Sequence, residues 1–170
     1  AWLMRNVGQF QGVVVGQVKE RNGLGQVKLA FPWLDESVRS DWVPIAAPMA
    51  GGGRGVFFMP ELEDEVLVAF QHGRFEHPIV VGFLWNGVDK PPSSEPRERM
   101  ICSKNGHKVR FLDSTPNSGD VGGIVIEDAY GNTVSLSNGQ VAINAVAVVQ
   151  INAPTVVING RPVLPITAPI

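Results

Sequence analysis

Glu61, Glu63, Asp64 and Glu65 form the densest cluster of proton-transferring groups in this chain. Glu63 and Glu65, two residues apart, would share one face of a strand, and a carboxylate pair is what glycoside hydrolysis uses. Their setting, P-E-L-E-D-E-V over residues 60–66, fits a polar turn that opens a strand better than it fits a catalytic pair. His72 and His77 flank a turn, but a zinc site needs three or four protein ligands, and no Asp, Cys or third His stands at ligand spacing from them. Gly51-Gly52-Gly53-Arg54-Gly55 resembles a phosphate cradle only in its glycines, since no Lys-Ser/Thr pair and no helical pattern follow it. No G-x-S-x-G elbow occurs. Cys102 is the single cysteine. It excludes an internal disulfide and a thiolate metal cage, fits synthesis in the cytosol, and reads as a small inert thiol. The residues therefore predict no enzyme, no cofactor and no metal.

Charge narrows the partners. The net charge is −2 over 170 residues, with 10 Lys+Arg against 12 Asp+Glu in residues 1–99 and 4 against 4 in residues 100–170. Neither part is basic enough to neutralise a phosphate backbone, so nucleic acid is not the expected partner. From Ala129 onward, 42 residues carry one charge, Arg161, whereas an ordinary soluble surface is about a quarter to a third charged. A tail this neutral must hide its surface, and copies of the same chain are the simplest cover. No run of eighteen apolar residues suggests a membrane-spanning helix, and no charged-then-apolar leader pattern opens the sequence.

The elements that hold these residues read as strands. Residues 12–19 are rich in valine and run into Asn22-Gly23, a hairpin dipeptide. Residues 26–31 alternate, with Val27, Leu29 and Phe31 on one face. Residues 42–46 and 56–59 are apolar pieces around the glycine loop. Residues 61–72 lack Gly and Pro and could be helical, but Val66, Val68 and Phe70 at period two favour a strand from Glu65. Residues 78–85 complete five or six short strands within residues 1–88, the pattern of a small Greek-key barrel of OB type. Residues 89–99, with Pro91, Pro92, Ser93, Ser94 and Pro96, read as a linker. Residues 100–128 read as neck strands, at 106–112 and 123–127.

From residue 129 to 170 the chain repeats. Val134-Ser-Leu136-Ser137, Val141-Ala-Ile143-Asn144, Val149-Gln-Ile151-Asn152 and Val156-Val-Ile158-Asn159 all fit V-x-[IL]-[NS] at spacings of 7, 8 and 7. A period near eight suggests one strand plus one corner of a β-solenoid, with Asn or Gly in the left-handed corner conformation. One chain of four such strands would leave its apolar stripe and its edges open. Three chains wound about one axis would close them, making Val134, Leu136, Val141, Ile143, Val149, Ile151, Val156 and Ile158 a shared core with all ladder bonds between chains. The competing reading is an aggregation-prone tail, whose signature is similar. The fold class expected is thus all-β: an OB-like barrel of five or six strands, followed by an intertwined trimeric β-helix or prism. Pro162, Pro165 and Pro169 break the repeat. Val163, Leu164, Ile166 and Ile170 stay apolar there, as a docking surface for a tip protein or a plug for the prism's own end.

Several strings together resemble the baseplate assembly protein V and VgrG spike family. They are G-L-G-Q-V-K-L-A-F-P-W (23–33), S-D-W (40–42), A-A-P (46–48), G-G-G-R-G-V-F-F (51–58), P-E-L-E-D-E-V-L-V-A-F (60–70), His72-Gly73, P-I-V-V-G (78–82), W-N-G (85–87) and D-K-P-P (89–92). S-K-N-G-H (103–107) and I-E-D-A-Y-G-N (126–132) are similar to that family's neck. The resemblance covers about residues 12–160. It implies a homotrimer at the centre of a phage baseplate or related contractile device, assembled in the bacterial cytoplasm. The barrel would sit against hub and tube proteins, and the prism would point at the target cell envelope, touch it transiently, and carry a PAAR-type tip protein. The linker is too short for the lysozyme domain of some members, the fused hub module of VgrG proteins is absent, and no H-x-H pair for an apical iron occurs near residue 170.

Two other functions compete. OB barrels often stack nucleic-acid bases, and Trp33, Trp42, Phe57, Phe58 and Trp85 could supply rings, but no Lys/Arg stripe accompanies them. A receptor-binding tail adhesin would need loops long enough for a sugar pocket, and the repeat corners hold only two or three residues.

Overall fold

The computed structural model describes residues 12–34, 37–115 and 117–163. The chain divides into two compact units, Ala1–Pro91 and Pro92–Ile170.

The first unit is a small barrel. Its strands are β1 (Val13–Arg21), β2 (Gln26–Ala30), β3 (Val43–Pro44), β4 (Ala50–Gly51), β5 (Arg54–Gly55), β6 (Glu65–Phe70) and β7 (Pro78–Phe83). Five of them form one sheet in the order β3-β2-β1-β6-β7. Ile45 then bridges Val80 in parallel, and the Ala46 N–H donates to the Val80 carbonyl at 2.8 Å. That contact brings the two edge strands together and nearly closes the barrel, which removes most of the exposed sheet edge.

Alternation decides what fills it. Val66, Val68 and Phe70 are buried while Glu65, Leu67 and Ala69 face outward, so the strand reading of this stretch holds. Val18, Val27, Leu29, Phe31, Val43 and Val80 meet them inside. Phe70 stacks on Phe75 with ring centroids 5.0 Å apart, and Phe31 lies against both. Each such buried side chain contributes roughly 1.5–3 kcal/mol. The apolar piece at 56–59 is not a strand. Gly55 has φ +148, and a Cβ there would lie 2.5 Å from the Met49 carbonyl oxygen, so the β4–β5 hairpin closes tightly and turns the chain out of the ladder. Val56 keeps one bond, its N–H to the Met49 carbonyl.

The second unit holds β8 (Glu98–Cys102), β9 (Lys108–Leu112), β10 (Gly123–Glu127), β11 (Thr133–Ser137), β12 (Gln140–Asn144), β13 (Val156–Ile158) and β14 (Arg161–Val163). β8 to β12 make one antiparallel meander in the order β12-β11-β10-β9-β8. It differs from the sequence expectation in three ways. The last two residues of the expected linker, Glu98 and Arg99, begin β8. The neck strands and the first two repeats share one sheet, with β10 pairing β11. And β11 pairs β12 antiparallel within the chain, so these ladder bonds are not all between chains.

The physical reason for the last difference is the turn. Asn138 (φ 50) and Gly139 (φ 71) are both left-handed, which makes a two-residue hairpin turn of type I′ rather than a solenoid corner. Asn159 (φ 50) and Gly160 (φ 73) do the same between β13 and β14. The third repeat, 149–152, forms no strand in the single chain.

Candidate self-association face

The side chains first weighed for chemistry are structural. The carboxylate cluster is a turn bound to β1: Asp64 accepts the Glu61 N–H at 2.8 Å, Lys19 pairs with Glu63 at 2.5 Å, and Arg21 pairs with Glu61 at 3.2 Å. His72 and His77 lie on a tight turn in which the Gln71 N–H donates to the His77 carbonyl. Among the described residues no group of three or more His, Cys, Asp or Glu could hold a metal. Gly51–Gly55 is the β4–β5 hairpin, with no helix after it.

What stands out is the second sheet. Cross-strand partners in an antiparallel pair point to the same side. The register therefore places Ile101, Val109, Ile126, Val134 and Ile143 in one row across five strands. A second row on the same side holds Arg99, Phe111, Ile124, Leu136 and Val141. Nine of these ten are apolar, and Arg99, at the corner, is paired with Asp113. The face is bare: Ile126 is 49% exposed and Val141 69%. Among the described residues, every buried hydrophobic one lies in the barrel, from Val18 to Val80, and none lies in this sheet.

The other side carries the charged groups, interspersed with Met100, Leu112, Val125 and Ala142. Arg110 donates to Glu98 at 3.1 Å and also to Glu127, and Lys108 pairs with Glu127 at 3.4 Å. Hydrogen bonds from Ser93 and then Arg110 hold the Glu98 carboxyl below the usual glutamate range, and Glu98 in turn raises Arg110. Because the folded value is the lower one, the stabilisation is present above the ordinary glutamate pKa of about 4.3 and is lost as pH falls through the folded value. The melting temperature of this unit is expected to drop as pH falls below about 4.3. Circular dichroism melts should show a smaller drop in Glu98→Gln; equal drops in both proteins would remove Glu98 from the account.

The sequence reading named four of the nine apolar residues on this face. Val134, Leu136, Val141 and Ile143 lie together on it, as adjacent pairs of β11 and β12. Val149 and Ile151 are exposed outside any strand. Val156 and Ile158 lie on β13, in a separate two-stranded sheet. Of the tip residues, Val163 pairs with Val156, while Leu164, Ile166 and Ile170 lie outside the described residues. Ile101, Val109, Phe111, Ile124 and Ile126 were missed. Their period-two spacing was readable, but which of two faces each belongs to depends on register.

Comparison with known proteins agrees with the barrel's geometry. Residues 10–85 match the family described as the type VI secretion system/phage-baseplate injector OB domain. That part of the chain is similar to an injector OB domain. The chain is 32% identical to the type VI secretion system spike protein VgrG2a of Pseudomonas aeruginosa over 84 residues, 46% of this chain and 10% of that protein. It is 29% identical to VgrG5 of the same organism over 135 residues, 75% of this chain and 16% of that protein. It is 30% identical to the actin cross-linking toxin VgrG1 of Vibrio cholerae over 79 residues, 44% of this chain and 7% of that protein. The VgrG-like character read from the motifs is thus found independently, although the chain spans only a small part of each relative's length.

Proposed function

We propose that this chain is a non-enzymatic segment of the central spike of a contractile injection machine, working as a homotrimer. The observation that carries the reading is the nine-residue apolar face on a sheet with no buried hydrophobic residue of its own. A sheet in that state needs a cover. Three copies turning these faces inward would make a triangular prism with a dry centre and the Arg110–Glu98–Glu127 side in water. The injector OB domain would seat the barrel on hub and tube proteins, and the prism would lead toward the target envelope. The cross-linking activity in one relative's name belongs to that protein, of which this chain covers 7%.

Nucleic-acid binding finds little support in Trp33 and Trp42, whereas Phe57, Phe58 and Trp85 are exposed. Trp33 packs on Phe31 and Phe75, and Trp42 lies under Lys28 with the ammonium 4.8 Å from the ring centroid, so neither pairs an open stacking face with a basic stripe.

Native mass spectrometry should find three copies of the 18.3 kDa chain. A stable monomer or dimer at micromolar concentration would refute the prism. Residues 164–170 are proposed to dock a PAAR-type tip protein. Deleting them should leave three copies and abolish capture of that protein; a trimer that falls apart would make the segment a plug instead.

A further inference from the structure

The barrel carries an apolar band on its outer wall that the spike reading does not use. Val13 pairs with Ala69 and Ala69 with Ile79, while Val15 pairs with Leu67. All five side chains point outward, because their neighbours Val14, Val66, Val68 and Val80 point into the core. Val81 joins them at the irregularity in the β6–β7 ladder. Val13 is 53% exposed and Val81 45%. No charged residue lies in these two rows; the next pair, Gln17 with Glu65, marks the polar border.

We infer that this band is covered by residues 1–11 of the same chain. The segment joins the barrel at the band itself, one residue before Val13. Its sequence supplies Trp2, Leu3, Met4, Val7 and Phe10, with Arg5 as its one charged side chain, opposite in sign to Glu65 at the border. Gly12 between them has φ +120, a conformation open to glycine and strained for other residues. Three adjacent strands span about 10 Å, and eleven residues can reach roughly 36 Å, so length is no obstacle. Tethering favours the segment over any untethered partner, since a short linker gives an effective concentration in the millimolar range. The segment also lies almost wholly before the matched OB domain, which begins at residue 10.

The test is paramagnetic broadening in the full chain. A nitroxide is attached at Met4→Cys in a Cys102→Ser background, and methyl signals are recorded. Val13, Val15, Leu67, Ile79 and Val81 should lose most of their intensity, while Leu24 and Val56, elsewhere on the barrel, keep theirs. Adding Val81→Asp should restore the band's signals; a second label at Asn6→Cys guards against a defect peculiar to position 4. A mixed sample, with the nitroxide only on isotopically silent copies, should show no broadening of the band. Broadening of the band in the mixed sample as well would assign the cover to another copy and overturn the inference. Uniform weak broadening, or none at the band, would overturn it as well. None of these readings depends on the number of copies in the assembly, so failure here leaves the trimer untouched.

Discussion

Replacing Ile126 with aspartate will disperse the assembly into single chains while leaving the barrel folded. Ile126 sits in the centre of its row, with Val109 on one side and Val134 on the other. In the lone chain it is 49% exposed, so a carboxylate there reaches water, and a surface substitution of this kind changes stability by only about 0.5 kcal/mol. In a shared core it would bring three unpaired carboxylates around one axis, and burying each one costs on the order of several kcal/mol. The difference between the two settings makes the variant diagnostic. Light scattering should report single chains, and near-ultraviolet dichroism from the barrel's aromatic cluster should be unchanged. An intact three-copy assembly carrying Ile126→Asp would show that this face looks outward. Ser135→Asp, on the opposite side of β11, is the control and should keep the assembly.

How much of this was legible in the sequence follows from where each stretch finds its partners. Val27, Leu29 and Phe31, like Val66, Val68 and Phe70, announce their burial by alternation because the barrel closes on itself within one chain. The piece at 56–59 has the same composition and misleads, since what excludes it from the sheet is the backbone of Gly55 and the nearness of the Met49 carbonyl. The repeat shows a deeper ambiguity. A five-residue strand with a two-residue turn gives a period of seven, close to that of a strand with a solenoid corner, and Asn-Gly adopts positive φ in both. The hairpin keeps Leu136 and Val141 on the same face even as it reverses the strand, so either path gives the same pairing of these two side chains. The neck stretches were legible as strands, but the face of each side chain was not. Ile124 and Ile126 alternate with Val125 and Glu127, and only the register with β9 and β11 tells that the isoleucines join the bare side.

Amide exchange will mark the place where the chain stops pairing with itself. The two-residue turn at Asn138-Gly139 makes Ser137–Gln140 a hydrogen-bonded pair. Antiparallel ladders alternate bonded and non-bonded pairs, so Ala142 and Asn144 also bond inward to β11, while the N–H groups of Val141 and Ile143 point off the free edge of the sheet. β12 is that edge, the last strand in the order. The next repeat, Val149-Gln-Ile151-Asn152, has the V-x-I-N pattern of β12 yet forms no strand in its own chain. A neighbouring copy's third repeat laid along β12 would satisfy both, each copy passing its strand to the next around the axis. The amides of Val141, Ile143 and residues 149–152 are then expected to exchange about a thousandfold slower in the assembly than in Ile126→Asp single chains, equivalent to roughly 4 kcal/mol of opening free energy. Ala142 should be less affected, because its bond to β11 survives in the single chain. Fast exchange at Val141 and Ile143 in an intact assembly would leave the faces packed but the edges open, and would confine the contact between copies to side chains.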